Sequence, residues 1–286
     1  MRSLRKYLDI KNKQNLIPIN DVEAWIKYPG YNFIYDKLRL AEIQSYNCAP
    51  IPIIPIKYPV IIKPIMNLYG MSKGFRKVDS EKEYLSLLKN NNYAGYFWET
   101  YLEGLQYNID IVMKNGSIIK YYGVESYPLE NGIFKYHKFL PNYTLNKNII
   151  CLLEQLMDDY TGFLNIEIIK YNDIDYIIEG HLRLNGDFFL FEDHVIDNFI
   201  DFIETGNFKD DIIKPITFFP IFITDTTKDY NYIGDYLEEN KEHICEYKKD
   251  DIFSPAQGDY YKRCYYFTCY DFKKGLDIQE KISNNI

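Results

Sequence analysis

Residues 176–187 read YIIEGHLRLNGD, in which Glu179, His181, Arg183 and Asn185 alternate with Gly180, Leu182 and Leu184. Side chains two apart on a β-strand point the same way, so one face would carry a carboxylate, an imidazole, a guanidinium and an amide in a row. Desolvating such groups without partners costs on the order of several kcal/mol. A metal ion, a polyphosphate or an anionic substrate would supply those partners. The alternative is an exposed edge strand with solvated charges. Just upstream, Leu164-Asn165-Ile166-Glu167-Ile168-Ile169 reads as a second strand with a second inward carboxylate, Glu167. Two carboxylates on neighbouring strands are what a hard divalent cation holding nucleotide phosphates needs.

Outward from this pair, turn and cap chemistry delimits the other elements. Asn172-Asp173 links the two carboxylate strands, and Asn115-Gly116 is a hairpin turn, because tight turns need positive φ angles. Strands are predicted at Val60–Lys63, Tyr96–Glu99, Tyr107–Val112 and Ser117–Tyr122. Helices are predicted near Asp21–Ile26, over Phe33–Tyr46 and over Asn146–Tyr160. Another follows Ser80, which can cap it with Glu83 completing a capping box. Between them, Ala49–Pro59 (APIPIIPIKYP) is a proline-punctuated extended connector. Beyond Phe191 the signals weaken to a helix over His194–Ile203 and strands at Ile216–Thr224 and Tyr260–Tyr270. Helices between mostly antiparallel hairpins indicate an α+β or mixed α/β architecture.

Composition narrows the function classes. The 286 residues are 47% hydrophobic and 26% charged, which is ordinary globular composition. A net charge of −8 disfavours nonspecific nucleic-acid or acidic-membrane binding, which needs a basic surface. The five cysteines are scattered without a CxxC pair, so neither a disulfide framework nor a structural zinc site is expected. The first residues lack an apolar signal core, and no apolar run approaches the ~18 residues of a membrane span. A cytoplasmic chain without membrane or nucleic-acid partners is expected.

Several motifs occur in a telling order. Tyr58-Pro59-Val60-Ile61-Ile62-Lys63 is a buried strand ending in lysine, followed by Tyr69-Gly70-Met71-Ser72-Lys73-Gly74-Phe75-Arg76-Lys77-Val78, a loop with two glycines. Ile34-Tyr35-Asp36-Lys37 precedes them; Phe97-Trp98-Glu99-Thr100-Tyr101-Leu102, Glu167 and Glu179 follow. From Tyr58 to Asp187 the chain resembles the ATP-grasp superfamily, nearest to its biotin carboxylase-like and carboxylate–amine ligase members. The resemblance implies an α+β ATP-grasp fold with two subdomains sandwiching a nucleotide cleft. It also implies that Lys63 and Lys37 contact the ATP phosphates, and that the loop with Ser72, Lys73 and Gly74 folds over them. The Glu99–Leu102 hinge would meet adenine, with Glu99 on its amino group and backbone pairing through Tyr101 and Leu102. Gln106 falls on the ribose hydroxyls. By the same resemblance Glu167 and Glu179 would be the metal carboxylates, for Mg²⁺ or Mn²⁺.

The departures lie at the end of the quoted stretch. His181 stands where the family generally has Asn; imidazole suits Mn²⁺ or Zn²⁺ better than Mg²⁺. It is read either as a variant metal ligand or as a hydrogen-bonded core imidazole. Arg183 matches the arginine that steadies the acyl phosphate or second substrate, and Asn185 follows it. Asp187 is one carbon shorter than the carboxylase glutamate. With Lys63 so near the start, the family's separate N-terminal α/β domain is not expected. The expected division is a lead-in over 1–57, a small subdomain over 58–102, a large one over 103–191 and a C-terminal extension over 192–286.

The function so implied is an ATP- and metal-dependent ligase that activates a small-molecule carboxylate as an acyl phosphate for attack by an amine or other nucleophile. Lys63 and Arg183 would serve catalysis by neutralising and orienting charge. Arg183, Asn185, Lys135 and Lys138 would face substrate; for Lys135, His137 and Lys138 the alternative is an exposed basic loop. A kinase on the same fold and a nucleotide-binding pseudoenzyme or scaffold are the competing readings. The aromatic-rich tail (YYKRCYYFTCYDF) reads as a packed sheet edge or a homodimer contact.

Overall fold

Two pairs of positive-φ residues fold the strands that carry the polar face. Asn115 and Gly116 (φ 48° and 78°) turn β5 (Leu105–Lys114) into β6 (Ser117–Pro128), and Asn172 and Asp173 (φ 50° and 62°) turn β8 (Gly162–Tyr171) into β9 (Ile174–His181). In the computed structural model the described residues are 18, 20–68, 74–90, 93–129, 133–185, 193–209, 214–224, 229–249 and 262–285. They fall into two compact units: one from Ile17–Tyr121 and Leu145–Asn185, the other from Tyr122–Thr144 and Gly186–Ile286. No helix among the described residues is long and apolar enough to cross a membrane.

The first unit holds two antiparallel sheets. In one, β5 pairs with β8 and β8 with β9, and the register sets Glu167 directly opposite Glu179. A β-bulge shifts the register there: Ile168 pairs with Ile177, which leaves Ile178 as the extra residue. The open edge beside it is closed by a side chain. Gln44 donates to the Ile177 carbonyl (2.8 Å) and accepts from the Ile177 N–H (2.7 Å), as a neighbouring strand would. The other sheet has the order β1 (Cys48–Pro50), β4 (Tyr96–Thr100), β2 (Val60–Pro64), β3 (Arg76–Val78). Its core is Val60, Ile62, Val78, Tyr84, Leu87 and Trp98. The proline-rich connector packs here: Tyr84 Oη and Trp98 Nε1 both donate to the Ile53 carbonyl, at 2.8 and 2.6 Å.

The helices differ from expectation in instructive ways. Residues expected as one helix over Phe33–Tyr46 form a 3₁₀ turn (Pro29–Tyr35) and then α2 (Lys37–Ile43), after α1 (Asp21–Lys27). Asp36 divides them: it is extended (φ −81°, ψ 96°), and its Oδ1 caps α2 by accepting from the Arg39 N–H at 2.9 Å. The capping box at α3 (Glu81–Asn90) is displaced by one residue. Ser80 Oγ accepts from the Glu83 N–H, but Glu83 reaches back to the Asp79 N–H. Helix α4 (Lys147–Leu156) forms within the expected span.

In the second unit the strand order is β6, β7 (Phe134–Leu140), β10 (Thr217–Ile223), β12 (Lys262–Cys269) and β11 (Glu246–Lys249). Phe219, Ile221, Phe267, Ile233, Leu237 and Ile278 share its core, with α6 (Asn231–Glu239) and α7 (Phe272–Ser283) contributing the last three. Helix α5 (Asp193–Thr205) matches the expected one. Pro220 is tolerated because β10 pairs with β7 only at Thr217 and Phe218. The segment read alternatively as a basic loop is strand β7. Its alternation is masked by aromatic residues on both faces. Elements α6, β11 and α7 had no clear sequence signal.

Candidate metal and nucleotide site

Every site residue drawn from the strands and the lysine motifs that is described lies in the first unit, apart from Lys135 and Lys138. The β8–β9 register brings Glu167 and Glu179 face to face, and His181 follows two residues on. One ligand atom from each of the three lies within 4.8 Å of the others. His181 Nε2 is 3.6 Å from Glu179 Oε1 and 4.0 Å from Glu167 Oε1. The imidazole is buried, while the two carboxylates keep 25% and 21% of their side-chain surface open, enough for a ligand to reach them. Two carboxylates and an imidazole form a donor set that suits Mn²⁺ and accommodates Mg²⁺ less well.

The lysines arrive from two other elements. Capping by Asp36 starts α2 at Lys37, whose buried Nζ lies 3.0 Å from Glu179 Oε1. Lys63 stands near the end of β2. Its Nζ is 2.6 Å from Glu99 Oε1 and donates to the Ile178 carbonyl, at the bulge, at 3.1 Å. Glu99 also accepts from Tyr46 Oη at 3.0 Å. Gln106, expected on a ribose, donates to Glu167 Oε2 at 2.9 Å and steadies that carboxylate.

These neighbours set the protonation of the acids. Burial pushes the Glu167 carboxyl up to about 7, and the charge of Glu179 adds to the shift. Burial acts on Glu179 too, but Lys37 and then His181 outweigh it, so its pKa is lowered. The two carboxylates are thereby driven apart, one tending to hold a proton and the other to stay ionised. Burial also raises Glu99, against the pull of Lys63.

The alternating polar face ends sooner than its sequence suggests. Strand β9 stops at His181, whose pairing with Asn165 is the last in the ladder. Beyond it the Leu182 N–H donates to Tyr35 Oη (3.1 Å) and the Asn185 N–H to Asp110 Oδ1 (2.8 Å). Arg183 therefore does not continue a strand. Its Nη2 is 2.8 Å from Asp21 Oδ2, and its Nη1 donates to the Leu184 carbonyl. Asp21 Oδ1 in turn is 3.0 Å from His181 Nδ1. Burial alone would raise Asp21, but His181 and Arg183 together hold it down at about 2.

The remaining candidates are placed as follows. Ser72, Lys73 and Asp187 lie outside the described residues. Gly74 has φ 84° and leaves no room for a Cβ, which would fall 2.6 Å from Tyr96 Oη. The Tyr101 N–H donates to the Pro59 carbonyl and Leu102 is buried just after β4. Lys135 pairs with Glu280 (2.9 Å) and Lys138 lies over the Phe272 ring, both within the second unit. Asp21, Tyr46 and Gln44 were not singled out in the sequence. Asp21 stands in a short helix with no motif around it, and only its contacts across the fold reveal it.

No protein-family model matches the sequence, and no curated protein does. Solved structures do. An L-amino acid ligase from Bacillus licheniformis aligns with a TM-score of 0.59 at 11% identity, over 88% of this chain and 71% of that one. N5-carboxyaminoimidazole ribonucleotide synthetase from Thermus thermophilus aligns at 0.60 and 13%, over 93% and 79%. A carboxyaminoimidazole ribonucleotide synthase from Aspergillus clavatus, complexed with ATP, aligns at 0.58 and 12%, over 88% and 73%. These proteins have the ATP-grasp fold, and the likeness establishes that α+β fold, and the fold alone, for this chain.

Proposed function

We propose that this ATP-grasp chain is an ATP- and metal-dependent ligase that activates a small-molecule carboxylate as its acyl phosphate, for attack by an amine or other nucleophile. The observation that carries the reading is the cluster of Glu167, Glu179 and His181 beside two buried lysines, Lys37 and Lys63. The ligases among similar solved structures, one of them holding ATP, support it.

In this reading Glu167, Glu179 and His181 would hold Mg²⁺ or Mn²⁺, which would offset phosphate charge. Lys37 and Lys63 exchange their present carboxylate partners for phosphate oxygens. Ser72, Lys73 and Gly74 would contribute contacts to those phosphates, and the Glu99–Leu102 hinge would meet the adenine. Gln106 orients Glu167. Arg183, with Asn185 after it, holds the acceptor carboxylate while its oxygen attacks the γ-phosphorus and ADP leaves. The nucleophile then displaces phosphate from the acyl carbon. The protein's contribution is positioning and charge neutralisation.

The test is product analysis with a panel of carboxylates and amines. A ligase releases ADP and phosphate together only when both substrates are present. Transfer of phosphate to a hydroxyl with nothing further would identify a kinase. Tight nucleotide binding without turnover would identify a scaffold.

A further inference from the structure

His181 presents its two ring nitrogens to two different acidic environments. Nε2 faces Glu179 and Glu167, whereas Nδ1 lies 3.0 Å from Asp21 Oδ1. A neutral imidazole has one N–H and one lone pair, and an ionised carboxylate can only accept. Arg183 Nη2 also approaches Nδ1, at 3.4 Å, but its short contact is with Asp21 Oδ2 at 2.8 Å. Asp21 is thus the better partner for Nδ1, as acceptor of its proton. The lone pair is left on Nε2, aimed at the two glutamates.

We infer that Asp21 is a positioning residue for the metal site proposed above, on which this inference rests: it fixes the His181 tautomer that ligates through Nε2, and so selects a softer divalent cation such as Mn²⁺ or Co²⁺ over Mg²⁺. A buried carboxylate behind a metal-binding histidine fixes ring orientation and raises ligand basicity. An imidazole in place of an oxygen ligand shifts preference along the transition-metal order. The second Asp21 oxygen holds the Arg183 guanidinium, so one carboxylate sets both the metal ligand and the arginine read as the acceptor clamp. Tyr35 walls the same corner: its hydroxyl accepts from the Leu182 N–H and its ring meets His181 edge-on at 6.0 Å.

The full chain, free of nucleotide, is titrated with Co²⁺, Mn²⁺ and Mg²⁺, and the imidazole nitrogens are followed by heteronuclear NMR with Zn²⁺. With Zn²⁺ bound, the His181 proton should sit on Nδ1 and the metal-induced shift on Nε2. A metal shift on Nδ1, or none on either nitrogen while Zn²⁺ binds, overturns the inference. Asp21→Asn should weaken Co²⁺ binding about 10- to 100-fold, with a smaller effect on Mg²⁺. That loss should disappear when Asp21→Asn is made in a His181→Asn background. Equal losses in both backgrounds, or for all three metals alike, would assign Asp21 a purely structural role. Should Asp21→Asn not fold, the wild-type NMR result decides. If Mg²⁺–ATP binds but His181→Asn leaves the metal order unchanged, only this inference fails. If no divalent cation binds the wild type, the proposed function fails with it.

Discussion

Lys63 and Glu99 neutralise each other across 2.6 Å in the interior of the first unit, and the same ammonium donates to the Ile178 carbonyl at the β9 bulge. One cation therefore ties the small sheet to the strand that carries Glu179 and His181. Both groups were expected at a nucleotide, Lys63 on phosphate and Glu99 on adenine. In the structure they satisfy one another. A buried pair of this kind contributes little net stability, yet losing one partner leaves an uncompensated charge.

Lys63→Met is therefore expected to destabilise the protein by about 3–5 kcal/mol and to abolish the thermal shift produced by ATP with Mn²⁺. Adding Glu99→Gln should return much of the stability without restoring nucleotide binding. Urea denaturation and melting curves separate the two effects. A double variant that regained the ATP shift would remove Lys63 from the phosphate site.

Glu179 and Glu167 should be needed for the metal-dependent part of that shift. At ligand concentrations near 100 times Kd, binding stabilises the wild type by about 2.7 kcal/mol. Glu179→Ala and Glu167→Ala should each lose most of this gain with either Mg²⁺ or Mn²⁺. Melting curves with and without metal provide the check. An undiminished shift in Glu179→Ala would place the cation elsewhere.

Gly180 lies between two of the three proposed ligands, and its lack of a side chain lets the 3₁₀ turn pack on β9. A Cβ there would fall 2.7 Å from Ile34 Cγ1 and 3.1 Å from the Ile34 carbonyl. Gly180→Ala should cost about 1–3 kcal/mol and weaken Mn²⁺ binding by displacing Glu179 or His181. Ile34→Ala should relieve part of the clash with the side chain but not that with the backbone. Stability and metal affinity measured on the single and double variants test both halves.

Tyr84, in the core of the small sheet, supplies a pH dependence. Burial pushes its phenol up to about 12, while its hydroxyl donates to the Ile53 carbonyl. Because the folded pKa is raised above the unfolded value of ~10, the folded state binds the proton more tightly. The stability this contributes is complete below pH ~10 and is lost as pH rises through about 12. Tyr84→Phe should lower stability at neutral pH by about 1 kcal/mol and flatten the alkaline decline. Denaturation midpoints measured across that range are the check.

Much of the first unit was legible because the signals are local. Asn115-Gly116 and Asn172-Asp173 accept positive φ, the residues flanking Glu167 and Glu179 alternate with period two, and Lys63 falls near the end of an apolar strand. The second unit was less legible. Its strands carry aromatic residues on both faces, as in Phe134–Leu140, which hides the alternation on which a strand prediction depends.

The amino-acid sequence by itself determined which chemical groups are available, where the chain turns, and that a carboxylate, an imidazole, a guanidinium and an amide follow one another two residues apart. It did not determine their partners. The register that sets Glu167 against Glu179, the extra residue at Ile178, and the Asp21 carboxylate between His181 and Arg183 were decided only in the tertiary structure. Alternation and turn preference are properties of a few adjacent dihedral angles, so a short stretch reveals them. A hydrogen bond between Asp21 and His181 joins groups far apart along the chain. It exists only once the packing of α1, the 3₁₀ turn and β9 has excluded water from the space between them.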